Sequence, residues 1–461
     1  MTSPNGAVRS GWILAAVSTA LFCVQVDYFA VNLALPRMAA DLDSSPTDLQ
    51  WVISVYMLAL GAFMVPAGRI GDIFGRRRAL LAGIALFGLA SAMCAVAPSA
   101  ALVIVFRAVQ GIGAALIFPV SVSVLTNVFP AARAGHAIGV AYGIAGLGNA
   151  AGPLVGGLLT QTLGWRWIFW LLVPLALVAF VIGGLTVPES SDASVPRRID
   201  MSGFVLLTGG IGLFTLTFDR APGWGWLTPG TVIAFVAAVA VLATFVAVEN
   251  RVRWPLVDMT LFRNTRFSIL AAAGTVANVA YAVTIYLSTV NLQQVRGLDP
   301  LMAGLAFLGP SVGAAMGGPL SGRLAAKFPP VLVMGAGCAA AALSLAALAV
   351  VGGWAAYVIA LTACGFTMGL VYAFTTVATQ AVVRPERAGE AAGVTLTSLV
   401  TLAGVGVAVS GTMLEVLRDS GMSTRTGIDV ILLTVAAILL PAGVAVLTLR
   451  GSRHQGTLDR R

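Results

Sequence analysis

The stretch GRIGDIFGRRRAL, from Gly68 to Leu80, places four arginines and one aspartate between two segments that are almost wholly apolar. The preceding segment is WVISVYMLALGAFMVPA (51–67), and the following one is LAGIALFGLASAMCAVA (81–97). Each is close to the ~20 residues that a helix needs to cross a ~30 Å hydrocarbon core. The charged stretch is therefore interpreted as an inner loop between two membrane-spanning helices.

The composition supports this interpretation. Of 461 residues, 58% are hydrophobic and 10% are charged, whereas about 25% are charged in an ordinary soluble domain. The sequence shows no Ser/His/Asp set, no cluster of metal ligands and no phosphate-binding loop, so it predicts neither an enzyme nor a cofactor or metal. The basic residues are spread over short loops, which argues against a nucleic-acid partner. We predict an all-α polytopic membrane protein.

Apolar runs of membrane-spanning length recur along the whole chain. The first run is interpreted as a retained helix, because no signal-peptide cleavage site follows it. We predict fourteen spans, at 11–36, 49–67, 79–97, 100–126, 136–162, 166–186, 201–218, 228–248, 267–292, 301–322, 331–351, 353–381, 391–415 and 428–449.

The basic residues predict the orientation of these spans. With an even number of spans, both termini lie on one side. If that side is the cytoplasm, the inner loops and tails hold 20 of the 27 Lys and Arg residues, six lie outside, and Arg107 lies within a span. Such an excess marks the cytoplasmic side. We expect a multi-pass protein of the cytoplasmic membrane, in contact with the lipid bilayer, with both termini inside the cell.

An internal repeat predicts the domain organisation. RAGHAIGV (133–140) recurs as RAGEAAGV (387–394), an offset of 254 residues. This offset places the first span on the ninth, and because eight is even, the two copies share one orientation. We predict a six-helix bundle over 1–187, a loop and an inserted helix pair over 188–262, and a second six-helix bundle with a short tail over 263–461. A cavity between two such bundles is typical of transport proteins.

Four motifs in chain order resemble a known family. GRIGDIFGRRR, RAVQGIGAA (107–115) and GNAAGPLVGG (148–157) are similar to the inner-loop, fourth-span and fifth-span signatures of the major facilitator superfamily. VDYFAVNLALP (26–36) resembles the first span of its fourteen-span drug:proton antiporters. The resemblance implies a monomer that exports small lipophilic compounds in exchange for protons. An uptake carrier for one metabolite and a non-transporting membrane sensor are the alternatives.

The resemblance also implies a role for the charged stretch. In this family the loop aspartate faces the N-terminus of a helix in the other half and holds the cytoplasmic gate shut, since the positive end of a helix favours a carboxylate. Glycines there would allow a tight turn and close helix approach. Ile73 departs from the family, which often has arginine after the aspartate, and the repeat carries Ala326 in place of the aspartate. The predicted gate residues are Gly68, Asp72, Gly75, Arg76 and Arg77; a solvated loop acid is the alternative.

Two charged residues lie deep within predicted spans. Asp27 lies about 13 Å from the outer end of its span, and Arg107 about 11 Å from the end of its own, at ~1.5 Å per helical residue. Ionisable residues at such depth usually face a cavity and have a function. We predict that they meet and that Asp27 carries the coupled proton. A permanently ionised structural pair is the alternative.

The remaining candidates concern packing and substrate. The proline in the fifth-span motif favours a hinge at the domain interface, although helix packing alone explains the glycines; the set is Gly148, Gly152, Pro153, Gly156 and Gly157. Polar and aromatic residues of several spans are predicted to line an amphipathic cavity for a small-molecule substrate: Tyr28, Asn32, Gln110, Asn278, Tyr281 and Tyr286.

Overall fold

The computed structural model describes residues 4–44, 49–192, 198–298 and 300–448. The predicted tail, residues 449–461, lies outside the described residues. Fourteen helices in this part of the chain have at least 20 residues. In chain order they are α1 (Pro4–Asp41), α2 (Trp51–Phe74), α3 (Arg76–Val96), α4 (Ala100–Val128), α5 (Ala131–Thr162), α6 (Arg166–Thr186), α7 (Met201–Trp224), α8 (Pro229–Glu249), α9 (Thr265–Val290), α10 (Leu308–Lys327), α11 (Pro330–Val350), α12 (Trp354–Gln380), α13 (Ala388–Asp419) and α14 (Thr424–Thr448).

The predicted all-α membrane fold is confirmed. Thirteen of these helices are long and apolar enough to cross a membrane. The exception is α10, whose sequence LGPSVGAAMGGPLSGRLAAK contains many small residues. It nevertheless packs against α5 and α12. The count of fourteen spans therefore stays a prediction.

The tenth predicted span is not one helix. A short helix, Pro300–Ala306, ends just before α10 begins at Leu308. Proline has no N–H group to donate to the carbonyl four residues earlier, so Pro310 cannot bond to Ala306. At the same place, the amide of Phe307 divides its hydrogen bond between the carbonyls of Ala303, four residues earlier, and Gly304, three residues earlier, at 3.3 and 3.1 Å. The helix is interrupted where this bonding pattern changes.

The charged stretch of residues 68–80 is not a loop, which corrects the prediction. Helix α2 continues to Phe74 and α3 begins at Arg76, so only Gly75 separates them. Gly75 has φ +119°, a conformation that residues with a Cβ rarely adopt. Gly68 therefore lies within a helix and serves close packing rather than a turn. The charged side chains remain inside helices because other parts of the protein satisfy them, as described below.

Two large apolar clusters form the core. One is drawn mainly from α1 to α6, and the other from α9 to α14. Contacts between these groups include α2 packed on α13 and α5 packed on α10. The 254-residue offset relates α2 to α10 and α5 to α13, so the two contacts are equivalent in the repeat. Helix α7 packs against both α2 and α13, and α8 packs against α7.

Candidate proton-coupling and gate sites

Asp27 on α1 and Arg107 on α4 form a buried ion pair. Arg107 Nη1 lies 2.6 Å from Asp27 Oδ2, and both side chains have no exposed surface. The same Nη1 donates to Gln110 Oε1 at 2.7 Å, while Gln110 Nε2 donates to Asp27 Oδ1 at 3.2 Å. Asp27, Arg107 and Gln110 therefore form one closed polar network.

Residues of α2 and α3 complete this network, and the sequence analysis missed them. Arg107 Nε donates to the Val52 carbonyl at 3.0 Å, and its guanidinium lies 4.0 Å from the centre of the Tyr56 ring. Gln110 Nε2 donates to Ser91 Oγ at 2.7 Å. A serine, a tyrosine and a carbonyl in apolar helices give no sequence signal of their own. Only the packing of α2 and α3 against α4 brings them to the arginine.

The carboxylate of Asp72 lies where α2 meets α13. Its Oδ2 accepts the backbone N–H of Glu390 at 2.9 Å, in the first turn of α13. Its Oδ1 accepts from Arg76 Nη2 at 2.8 Å and from Ser123 Oγ at 3.1 Å. Asp72 has no exposed surface, so the solvated-acid alternative is wrong for this conformation.

The two neighbouring arginines of the predicted gate bind different parts of the protein. Arg76 bonds to Asp72 and also donates to the carbonyl of Glu386, just before α13, at 2.7 Å. The backbone N–H of Arg77 donates to Glu189 Oε1 at 3.1 Å, and its guanidinium to the Gly184 carbonyl. Arg76 therefore joins the two sides of the α2–α13 contact, whereas Arg77 fastens α3 to the end of α6.

A second set of charges surrounds Glu390. Arg387 Nε lies 3.0 Å from Glu390 Oε2, and Arg387 Nη2 lies 3.1 Å from Asp258 Oδ2. Burial alone raises the pKa of Asp258, but hydrogen bonds from Thr260 and the Arg387 charge outweigh it and hold this pKa below its usual value. Arg69 Nη1 lies 3.7 Å from Glu390 Oε2. The segment between α8 and α9 is thereby attached to the beginning of α13.

The glycines of α5 serve two different contacts. A Cβ built on Gly148, Gly152 or Gly156 would lie closer than 3.0 Å to atoms of α1. These residues therefore pack within the first half of the chain, not at the interface between halves. A Cβ on Gly157 would meet nothing within 4 Å, so packing does not explain that residue. Pro153 lies inside the continuous helix α5.

Earlier glycines of α5 form the interface that the sequence analysis placed further along. A Cβ on Gly139 would lie closer than 3.0 Å to the Gly318 carbonyl, and one on Gly143 would lie 2.7 Å from Pro319 Cδ. Both neighbours belong to α10. On α5, the contact with α10 in the other half is therefore made by the first part of the helix.

The six predicted cavity residues do not form one cluster. Gln110 belongs to the Asp27 network, and Asn278 Nδ2 donates to the Leu399 carbonyl of α13 at 2.8 Å. The Asn32 side chain donates to the Tyr28 carbonyl at 2.7 Å. Tyr281 packs against the apolar cluster of α9–α14, and Tyr286 lies against α13, where its hydroxyl would be 3.2 Å from a Cβ on Gly411.

One aromatic contact between the halves had no sequence signal. The rings of Tyr142 on α5 and Tyr372 on α12 meet edge to face, with centroids 5.6 Å apart. Tyr142 is buried. Position 142 maps to a leucine under the repeat offset, so comparison of the repeats does not find this pair. Within the described residues, no group of three or more His, Cys, Asp or Glu side chains is arranged to hold a metal ion.

Comparisons with known proteins agree with the fold. The family model described as Major Facilitator Superfamily matches residues 17–409. The tetracenomycin C resistance and export protein of Streptomyces glaucescens is 35% identical over 334 residues; the match covers 71% of this chain and 61% of that protein. The multidrug resistance protein Stp of Mycobacterium tuberculosis is 34% identical over 415 residues, 87% of this chain and 75% of Stp.

A solved structure shows the same fold at much lower identity. The human organic anion transporter MFSD10 (TETRAN) superposes with a TM-score of 0.68 at 14% sequence identity. The superposition covers 96% of this chain and all of that one. At this identity the likeness shows the fold alone.

Proposed function

This chain belongs to the Major Facilitator Superfamily, and on that premise we propose that it exports small lipophilic compounds, such as drugs or antibiotics, in exchange for protons. The relatives named for resistance and export support the export of such compounds. Because these relatives are transport and resistance proteins, they also agree with the prediction that the chain is not an enzyme.

The buried network around Asp27 is the observation that carries the proton-coupling part. An ionised carboxylate without exposed surface is stable only while Arg107 and Gln110 remain bonded to it. A conformational change that separates Arg107 from Asp27 while the carboxyl group stays out of bulk water would remove the positive charge that keeps this group ionised. The carboxyl group would then take up a proton on one side of the membrane and release it when the network re-forms.

The arrangement of helices supports alternating access. We propose that residues 1–187 and 263–461 move as two six-helix bundles and that 188–262 supplies an inserted pair. The Asp72–Glu390 contact would close the gate on the cytoplasmic side, where both termini would also lie. We place the protein in the cytoplasmic membrane and propose that it acts as a monomer.

Reconstituted proteoliposomes test this proposal. A pH gradient should drive a lipophilic antibiotic out of the compartment that corresponds to the cytoplasm, and adding the compound should release protons in wild-type vesicles. Cells with the protein should also tolerate the compound at higher concentrations than cells without it. Accumulation of one metabolite inside cells would instead show an uptake carrier, and no flux of any tested compound would favour a sensor.

A further inference from the structure

Two acidic residues lie together at the base of the inserted helix pair. Asp200 immediately precedes α7, and its Oδ1 accepts the backbone N–H of Ser202 at 3.0 Å. Glu249 is the last residue of α8, and only 3% of it is exposed. Because α7 and α8 form a hairpin, the beginning of one helix and the end of the other meet at the same level.

One carboxyl oxygen of each acid has no hydrogen-bond partner. Asp200 Oδ2 and Glu249 Oε1 are both buried and unpaired. Both lie closer than 3.0 Å to the point where a Cβ on Gly203 would stand, and therefore less than twice that distance from each other. The absence of a side chain on Gly203 leaves the space into which both oxygens point.

The pair has no ion-pair partner among the residues that the structure describes. Neither carboxyl group has a Lys or Arg nitrogen within 4.0 Å there. Arg198 and Arg251 flank the pair in the chain. Along the connected contacts, the charged groups are Asp258, which pairs with Arg387, then Glu390 on α13 and Arg69 on α2. Arg69 is directed to Glu390, at 3.7 Å, and to the Pro255 carbonyl, at 3.4 Å. Two carboxylates in such a setting cannot both keep their charge without a large desolvation and repulsion cost.

We propose that Asp200 and Glu249 hold one proton between them, as a second proton-binding site separate from Asp27. The proton removes one of the two charges and supplies the donor that the two unpaired oxygens lack. Asp27 lies inside the first half of the chain, whereas this site belongs to the inserted pair. The site does not depend on which compound the protein transports, or in which direction.

A continuous set of contacts connects this site to the α2–α13 contact. Glu249 Oε2 accepts the backbone N–H of Val257 at 3.2 Å. The next residue, Asp258, donates its backbone N–H to Glu390 Oε1 at 2.7 Å. The backbone N–H of Glu390 in turn donates to Asp72. Loss of the shared proton would make Asp200 and Glu249 repel each other, move the end of α8, and loosen the 255–258 segment from α13.

The pH dependence of thermal unfolding tests the shared proton. The full-length protein is unfolded in nanodiscs across the neutral and alkaline range, as wild type and as Glu249→Gln, Asp200→Asn and Asp219→Asn. A folded state that binds one more proton than the unfolded state loses stability as pH rises. The free energy of unfolding of wild type should therefore decrease toward alkaline pH. In Glu249→Gln the slope of this decrease should be smaller by the contribution of one proton, because the neutral amide cannot release a proton.

Asp219→Asn is the matched control. Asp219 lies on α7 as well, but near its other end, where it accepts from Ser54 and lies 3.4 Å from Arg220. Its substitution should leave the wild-type slope above neutral pH unchanged. Asp200→Asn tests the pair from the more exposed partner, so the result does not depend on whether Glu249→Gln folds. The infrared band of a protonated carboxyl group should also decrease in both variants of the pair.

Two outcomes would overturn the proposal. If wild type and both variants of the pair have parallel pH profiles and the same infrared band, the carboxyl groups are ionised and hydrated, and no proton is shared. If sodium ions at fixed pH stabilise wild type but neither variant, the site binds a metal cation instead of a proton. Neither result bears on drug export through Asp27, which is measured by transport.

Discussion

The backbone N–H of Glu390 donates a 2.9 Å hydrogen bond to Asp72 Oδ2 and so joins the end of α2 to the beginning of α13. Residues 318 positions apart in the chain meet here. The carboxylate faces the positive end of α13 and simultaneously pairs with Arg76. Both interactions need the negative charge, so this one side chain carries two favourable electrostatic contributions to the same contact.

Asp72→Asn should loosen the α2–α13 contact. The amide can still bond, but it leaves the buried Arg76 without its counter-charge, and breaking a buried pair costs about 3–5 kcal/mol. Transport should fall although the protein still inserts. A cysteine at Ser121, which is fully buried in α4, should react faster with a thiol reagent in a background that lacks the native cysteines. Asp41→Asn, which removes an exposed partner of Arg166 away from the α2–α13 contact, is the control, and equal labelling in all variants would contradict a gate role.

Asp27→Asn should abolish export driven by a pH gradient and leave downhill exchange of substrate. A neutral amide resembles the protonated acid, so substrate can move while no proton does. Asp27→Glu should keep partial coupling because the carboxyl group remains. Asp41→Asn, which removes an exposed partner of Arg166, should behave as wild type. Normal gradient-driven export in Asp27→Asn would exclude this role.

Gly68→Ala should separate α2 from α13 by steric overlap. A Cβ at Gly68 would lie closer than 3.0 Å to the backbone of Gly389, and backbone atoms cannot move aside as a flexible side chain does. Overpacking of this kind typically costs about 1–3 kcal/mol. Cysteine labelling at Ser121 should rise, as in the Asp72 variant. Gly157→Ala meets open space and should change neither labelling nor transport.

Removing the inserted pair should have an effect that depends on where the cuts lie. Deletion of 190–262 takes out Ser190 and Asp192, whose backbones bond to Arg76 and Asp72, at 2.9 and 2.6 Å. Deletion of 201–249 alone, bridged by a flexible linker, keeps these contacts. Both remove an even number of predicted spans and preserve topology. The shorter deletion should retain more efflux in vesicles, and equal loss with both would show that α7 itself is required by the bundle.

The parts that the sequence predicted well depend on local or periodic signals. The runs of apolar residues predicted the ends of most helices within a few residues. For α6 the predicted and observed ranges coincide. Deep burial of charge identified Asp27 and Arg107 because charge inside an apolar span is costly wherever it lies. Both signals can be read without knowing which helices are neighbours.

The errors arise where a tertiary contact decides the outcome. Charge density suggested a loop at Gly68–Arg78, but partners on α4 and α13 satisfy Asp72 and let the helix continue to Phe74. The glycines of α5 share one spacing, yet Gly148 faces α1 whereas Gly143 faces α10. Asp200 and Glu249 lie 49 positions apart and are both ordinary helix-end residues in sequence. Only the hairpin reveals that their oxygens share one space.

The two equivalent contacts between the halves contain different kinds of residue. The α2–α13 contact contains Asp72, Arg76 and Arg69, whereas the α5–α10 contact brings Gly139 against Gly318 and Gly143 against Pro319. Side-chain volume limits both contacts, since Gly68 also meets the backbone of Gly389, but only the α2–α13 contact adds a requirement for charge. Reversing both charges of the Asp72–Arg76 pair would place a cation against the positive N-terminus of α13, so that helix fixes the sign of the charge at position 72. Where backbone touches backbone no compensating partner exists, so residues of the α5–α10 contact can drift only among the smallest side chains.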